Sequence, residues 1–212
     1  MTTERLLFAP EAYAAADPVA IVRRYPFAQL VTPGPPDLLA TAIPLFFEND
    51  EDTTTMVGHL ARRNLHASAL LAGQRALAIF AGPHAYISSR WYRDRPTVPT
   101  WNYVSAHVRG TLEPIDDEAA QRAILRLTAR IMESDVPAPW TLEQAPPGRV
   151  AQLMPKIRSL RLRVERIEGV TKLSQTHPPA DRMRVIERLL ERNDEGSHEI
   201  ARWMAGLGIA TF

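Results

Sequence analysis

The chain has no cysteine among its 212 residues, which excludes a disulfide framework, a thiolate nucleophile and a cysteine-ligated metal centre. Charge of one sign is also missing. Lys+Arg 25 against Asp+Glu 24 leaves a formal net charge of +1, which supplies little of the general phosphate attraction of a dedicated nucleic-acid binder. No apolar run approaches the roughly 20 residues that cross a bilayer. The opening stretch, MTTERLLFAPEAYAAADP, lacks the basic, apolar, small-residue order of a secretory signal. A soluble, cytoplasmic protein with no membrane partner is the expectation. GxGxxG, P-loop, HExxH and Ser-His-Asp signatures are absent too, so Rossmann binding, zinc proteolysis and triad hydrolysis have no support. Any metal chemistry must rest on the 6 histidines, on carboxylates or on a prosthetic group.

The 18 prolines fall mostly between periodic segments and read as loop punctuation. Residues 17–25 predict a short helix with Asp17 as N-cap and Pro18 at its first position. Residues 27–32, 38–47 and 53–60 are extended by composition, with PGPPD and ENDED as turns between them. A helix over 61–71 with Gly73 as its stop follows, then strands at 76–80 and 101–112. Residues 116–132 form an amphipathic helix capped by Asp116, with Ala120, Ile124, Leu127 and Ile131 at helical spacing. A short helix at 150–157, an alternating strand at 159–172 and helices at 181–192 and 197–204 complete the chain. The pattern predicts a mainly β, α+β protein with flanking helices, built on a closed antiparallel barrel of about six strands. Residues 1–178 would form that domain, and 179–212 a helical arm docked on it or on a partner subunit.

Three segments carry candidate chemistry. Residues 79–110, IFAGPHAYISSRWYRDRPTVPTWNYVSAHVRG, read as two strands around a rigid aromatic loop, with a sharp turn at Gly82-Pro83. His84 and Tyr86 offer ring donors and acceptors there, while Trp91, Tyr92, Trp101 and Tyr103 supply flat apolar walls. That suits a planar heteroaromatic cofactor, and it suits an aromatic core cluster equally. In GHLARRN, residues 58–64, a strand meets a helix. Arg62, Arg63 and the amides of the first helical turn would then suit a phosphate or carboxylate, or form a solvated basic helix start. His66, in the same helix, would share a face with Arg62 or Arg63. KLSQTHP, residues 172–178, is either a strand-end cap or a site rim. The C-terminal helices around NDEG have the outline of a helix-turn-helix, but the second offers Arg202 as its only fixed cation, which favours docking across a dimer.

Taken in order, GHLARRN, IFAGPHAYIS, WY, VPTWNYVSAHVRG and KLSQ resemble the Pai-type family of FMN-binding negative transcriptional regulators. The resemblance implies a split antiparallel β-barrel of the flavin-reductase and pyridoxamine-phosphate-oxidase type. It also implies a homodimer with planar cofactor sites near the subunit interface. Fold does not fix chemistry, and the departures from the pattern point elsewhere. Leu65-His66-Ala67 replaces the usual Pro-Gln-Trp, Ala42-Ile43 stands in place of His-Leu, and Val170-Thr171 replaces Lys-Trp ahead of Lys172. The altered set resembles the haem-dependent branch of the family, the piperazate synthases, which close N5-hydroxyornithine into a cyclic hydrazine.

That second resemblance implies haem b, with His66 as axial ligand to the iron. It implies an amino-acid substrate and a redox-neutral dehydration, in which the N–O bond breaks, water leaves and the α-amine attacks nitrogen. Arg62 or Arg63 would clamp the substrate carboxylate, and Lys172 or His84 would relay a proton. His59, Asn64, His66, Tyr86, Trp91, Trp101, Tyr103, Ser174 and Gln175 would surround the cofactor. The alternatives are an FMN-binding repressor and a flavin or haem sensor without turnover. Nucleic acid is a partner only under the repressor reading. Haem and FMN are both planar, so the sequence leaves the two cofactors open.

Overall fold

The computed structural model describes residues 5–35 and 37–209. Among the described residues seven strands form one antiparallel sheet: β1 Phe27–Pro33, β2 Leu38–Pro44, β3 Phe46–Asn49, β4 Asp52–Ala61, β5 Arg75–Ile87, β6 Thr100–Ile115 and β7 Ile157–Lys172. Their order across the sheet is β2-β1-β5-β6-β7-β4-β3. Six α-helices accompany them among the described residues: α1 Pro18–Arg24, α2 Leu65–Ala69, α3 Glu118–Met132, α4 Arg149–Leu153, α5 Pro179–Leu190 and α6 Glu195–Ile209. None of the described helices is long and apolar enough to cross a membrane.

The chain divides into two compact units, one of Pro26–Phe80 and Val108–Ile167, the other of Met1–Tyr25, Ala81–His107 and Glu168–Phe212. In the first unit β1 lies between β2 and β5, while β4 lies between β3 and β7. The single strand expected over 38–47 is broken at Leu45, where Pro44 ends β2 and a buried corner begins. There the Leu45 amide donates to the Pro26 carbonyl at 2.9 Å. Gly58 passes directly beneath that corner. A Cβ on it would come within 2.6 Å of the Pro44 carbonyl oxygen, so a side chain would push β4 off the corner. Gly110 on β6 is tighter still, with a Cβ position 1.8 Å from the Arg163 carbonyl of β7.

The long helix of this unit is α3. Its cap is Asp117, whose carboxylate accepts from the Ala120 amide at 2.8 Å, not Asp116, which serves another purpose. Ile124, with Leu127 and Ala120, packs on Val57 of β4 and Ile115 of β6, as the helical spacing predicts. By contrast, α2 is only five residues long, not the helix expected over 61–71. Ala61 still belongs to β4, Asn64 takes the N-cap, and the helix ends before Gly73, whose φ of +77° places it in the left-handed region.

In the second unit Gly82-Pro83 makes no turn. β5 runs straight through it, with Pro83 buried. The missing side chain at Gly82 lets the strand pass the Tyr25 ring and the Val104 carbonyl, which a Cβ would approach to 2.9 and 3.1 Å. His84 and Tyr86 are therefore strand residues, and the loop is confined to residues 88–99. Asp17 caps α1 as expected, accepting from the Ala20 amide. The buried Asp181 of α5 accepts backbone N–H bonds from Arg93, Asp94 and Arg95 at 2.7–3.1 Å and pairs with Arg184, fastening that loop to the helix.

Candidate functional site

The sequence candidates separate into two groups, one in each unit. In the first unit, β4 delivers His59, Arg62 and Arg63 in succession, and Asn64 then starts α2. Because Arg62 and Arg63 lie in the turn ahead of α2, they do not share a helical face with His66: both arginines are exposed, and His66 is 1% exposed. Asn64 has two tasks. Its side-chain oxygen accepts from the His66 amide at 2.9 Å, closing the helix start, and its Nδ2 donates to Thr41 Oγ1 at 3.1 Å.

Both nitrogens of the His66 ring are occupied. Nε2 lies 2.9 Å from Thr32 Oγ1, and Nδ1 lies 3.0 Å from Thr41 Oγ1. A neutral ring carries one N–H and one bare nitrogen, and either tautomer satisfies both contacts because each threonine hydroxyl can donate or accept. Burial holds the pKa of His66 below the usual histidine range, which keeps the ring neutral. As iron ligand, this ring would have to release one threonine first. The arrangement shown does not fit haem ligation by His66. His59, half-buried on β4, differs: its Nδ1 is buried without a hydrogen-bond partner, and burial lowers its pKa as well.

Arg62 is anchored. It donates to the Ile157 carbonyl at 3.0 Å and pairs with Asp116, which also receives Arg158 in a two-point contact. Arg158, followed by Arg62, holds the Asp116 carboxyl below the usual carboxylate range. Arg63 and Lys156 are exposed beside them. Together Ala61, Arg62, Arg63, Pro155 and Lys156 line a cavity of about 610 Å³. Its donor set is cationic, and its arginines differ in freedom, one fixed by the fold and one open to a ligand. Such a pair suits a phosphate, since guanidinium N–H groups match its oxygens.

In the second unit, His84, Tyr86 and Trp101 form an open aromatic patch on β5 and β6. The rings of His84 and Tyr86 lie 5.8 and 5.9 Å from that of Trp101, which is 53% exposed. Tyr103 is half-buried two residues farther along β6, on the same face as Trp101 by strand alternation. Trp91 is elsewhere, with the Arg192 guanidinium 4.9 Å above its ring. Lys172 donates to Thr100 Oγ1.

Ser174 and Gln175 use their polar atoms internally. Gln175 closes the turn by accepting from the Leu173 amide and donating to the Thr171 and Ala12 carbonyls. Ser174, at φ +58°, is held there by Tyr92 at 2.8 Å and Asn102 at 3.1 Å. Sequence reasoning missed Asn102 and Thr32 as partners in these networks. Among the described residues no group of three or more His, Cys, Asp or Glu side chains could hold a metal ion.

Comparison with known proteins gives these observations a family. Residues 7–166 match the family described as "Putative FMN-binding domain". The chain belongs to this FMN-binding family. It is 33% identical over 184 residues to the protein named protease synthase and sporulation protein PAI 2 of Bacillus subtilis, covering 86% of this chain and 87% of that one. Among solved structures, the flavocytochrome Anf3 from Azotobacter vinelandii superposes with a TM-score of 0.59 at 16% identity, covering 88% of this chain and 75% of that one. The FAD and haem binding protein from Mycobacterium smegmatis gives 0.53 at 14% identity, covering 76% and 73%. These likenesses establish the split-barrel fold of the FMN-binding family, as the ordered motifs implied.

Proposed function

We propose that the chain is an FMN-binding protein of the Pai type, with the flavin phosphate received by Arg63 and Lys156 beside the anchored Arg62. The carrying observation is the cationic cavity at the end of β4, where Asp116 fixes one arginine while its neighbour stays open to solvent. Arg62 sets the geometry, and Arg63 and Lys156 supply mobile positive charge. When bound, FMN supplies one- or two-electron redox chemistry. A homodimer belongs to this reading. The regulatory role follows from the resemblance of the ordered motifs to the Pai-type regulators, and a regulator requires salt-sensitive DNA binding.

A second reading keeps the haem-dependent closure of N5-hydroxyornithine. It is favoured by one observation: His66 is neutral, the state an iron ligand needs. Its two threonine contacts stand against it.

Absorption of the purified protein, before and after incubation with FMN and with haemin, separates the two. Flavin bands retained through gel filtration support FMN. A Soret band near the usual 400 nm region that persists in the wild type and vanishes in His66→Ala would replace the first reading with the second.

A further inference from the structure

The second unit holds a cavity of about 660 Å³ between α1, the end of β7 and α6, whose lining shares no residue with the proposed flavin phosphate cavity. Its floor is made of small or apolar groups, Ala16, Ala20 and Leu173, and the Trp203 indole forms one wall. Gly206 leaves the α6 side open, since a Cβ on it would meet nothing within 4 Å. That volume lies within the range of pockets for drug-sized molecules.

Charge at the rim has one sign available for binding. Among the described residues Asp17 is the one carboxylate of the lining, and it accepts the α1 cap bond from the Ala20 amide. Arg24 and Arg202 also line the space. Arg24 gives Nε and Nη2 to Tyr25 and Glu199, with its guanidinium 5.8 Å from the Trp203 ring centre, and among the described residues Nη1 has no hydrogen-bond partner. Among the described residues Arg202 commits only Nη1, to the exposed Glu195. Exposed pairs of that kind hold weakly and yield to a better-placed anion. The Trp203 indole cannot swing aside freely, because its Nε1 donates to Tyr25 Oη at 2.8 Å and that hydroxyl donates to Glu199 at 2.6 Å.

We propose that this cavity binds a small aromatic carboxylate, its ring against Trp203 and the alanine floor and its carboxylate on the free N–H groups of Arg24 and Arg202. A fixed indole wall, a floor too small to fill the space and two guanidiniums with spare donors are what such a molecule requires.

Isothermal titration of the protein as purified tests this, with indole-3-acetate as probe and tryptophol as its neutral counterpart. Saturable binding of the acid at one site per chain is expected, with the alcohol at least about tenfold weaker. Arg202→Gln should weaken the acid by about tenfold and leave the alcohol unchanged. Gly206→Leu and Ala20→Phe each fill the space from an exposed position and should abolish binding, with thermal melts confirming the fold. No saturable binding, equal affinity for acid and alcohol, or undiminished binding in both filled variants would overturn the proposal.

Discussion

The two threonine contacts of His66 make a prediction about acid stability. His66 is neutral and buried in the folded chain, with its pKa held below the unfolded value of about 6.5. A histidine depressed in this way leaves stability intact above about pH 6.5, because neither state binds a proton there. As pH falls below that value the unfolded chain takes up the proton first, and stability is lost until the folded pKa is reached.

Between pH 6.5 and 5 the upper limit for one such group is about 2 kcal/mol, from about 1.4 kcal/mol per pH unit. The full limit applies only if the folded ring stays unprotonated down to pH 5, so about 1 kcal/mol is expected. His66→Gln keeps a donor and an acceptor for Thr32 and Thr41 but cannot titrate. At pH 7.5 it should cost about 1 kcal/mol through imperfect hydrogen bonding. Urea denaturation at pH 7.5 and pH 5 measures both numbers. The gap between wild type and variant should shrink at pH 5 by about 1 kcal/mol. A gap that is constant or wider at pH 5 would refute the neutral, doubly bonded His66.

Other consequences are direct. Gly110→Ala would drive a Cβ into the Arg163 carbonyl, 1.8 Å away; a cost of about 3 kcal/mol or more is expected, measured by urea denaturation. Asp181→Asn removes the carboxylate that gathers three amides of the 93–95 loop and Arg184. Burial raises the pKa of that carboxyl, but the amides and Arg184 outweigh it and hold it far below the usual range. Trypsin should therefore cut after Arg93 faster in the variant, the Arg95–Pro96 bond being resistant to it, and equal rates would show that the clamp is not what protects the loop. Ser174→Gly relieves the positive φ but removes the hydroxyl that joins Tyr92 to Asn102. A lower thermal midpoint is expected, since a buried hydrogen-bond junction outweighs the backbone strain at one residue.

Regular elements with strong local signals were legible in the sequence. Asp17-Pro18 set the start of α1, and Ala120, Ile124 and Leu127 set the buried face of α3, because caps and helical periodicity are local properties. Breaks imposed from a distance were not. Leu45 divides β2 from β3 through a bond to the Pro26 carbonyl, and Gly82-Pro83 continues a strand because Tyr25 and Val104 crowd it. The candidate site followed the same rule. GHLARRN marked the end of β4 correctly, but the state of His66 depends on Thr32 and Thr41, which are 34 and 25 residues away in sequence. Arg62 and Arg63 look equivalent in the sequence. Only the distant Asp116 makes one an anchor and leaves the other open.

The central claim concerns phosphate recognition by that arginine pair, and comparison of FMN with riboflavin tests it most directly. Fluorescence titration should show wild type binding FMN at least about tenfold more tightly than riboflavin, the difference one charge-assisted phosphate contact supplies. In Arg63→Gln that preference should fall to near equality while riboflavin affinity stays unchanged. An undiminished preference for FMN in Arg63→Gln and in Lys156→Gln would contradict the account and place the flavin phosphate elsewhere.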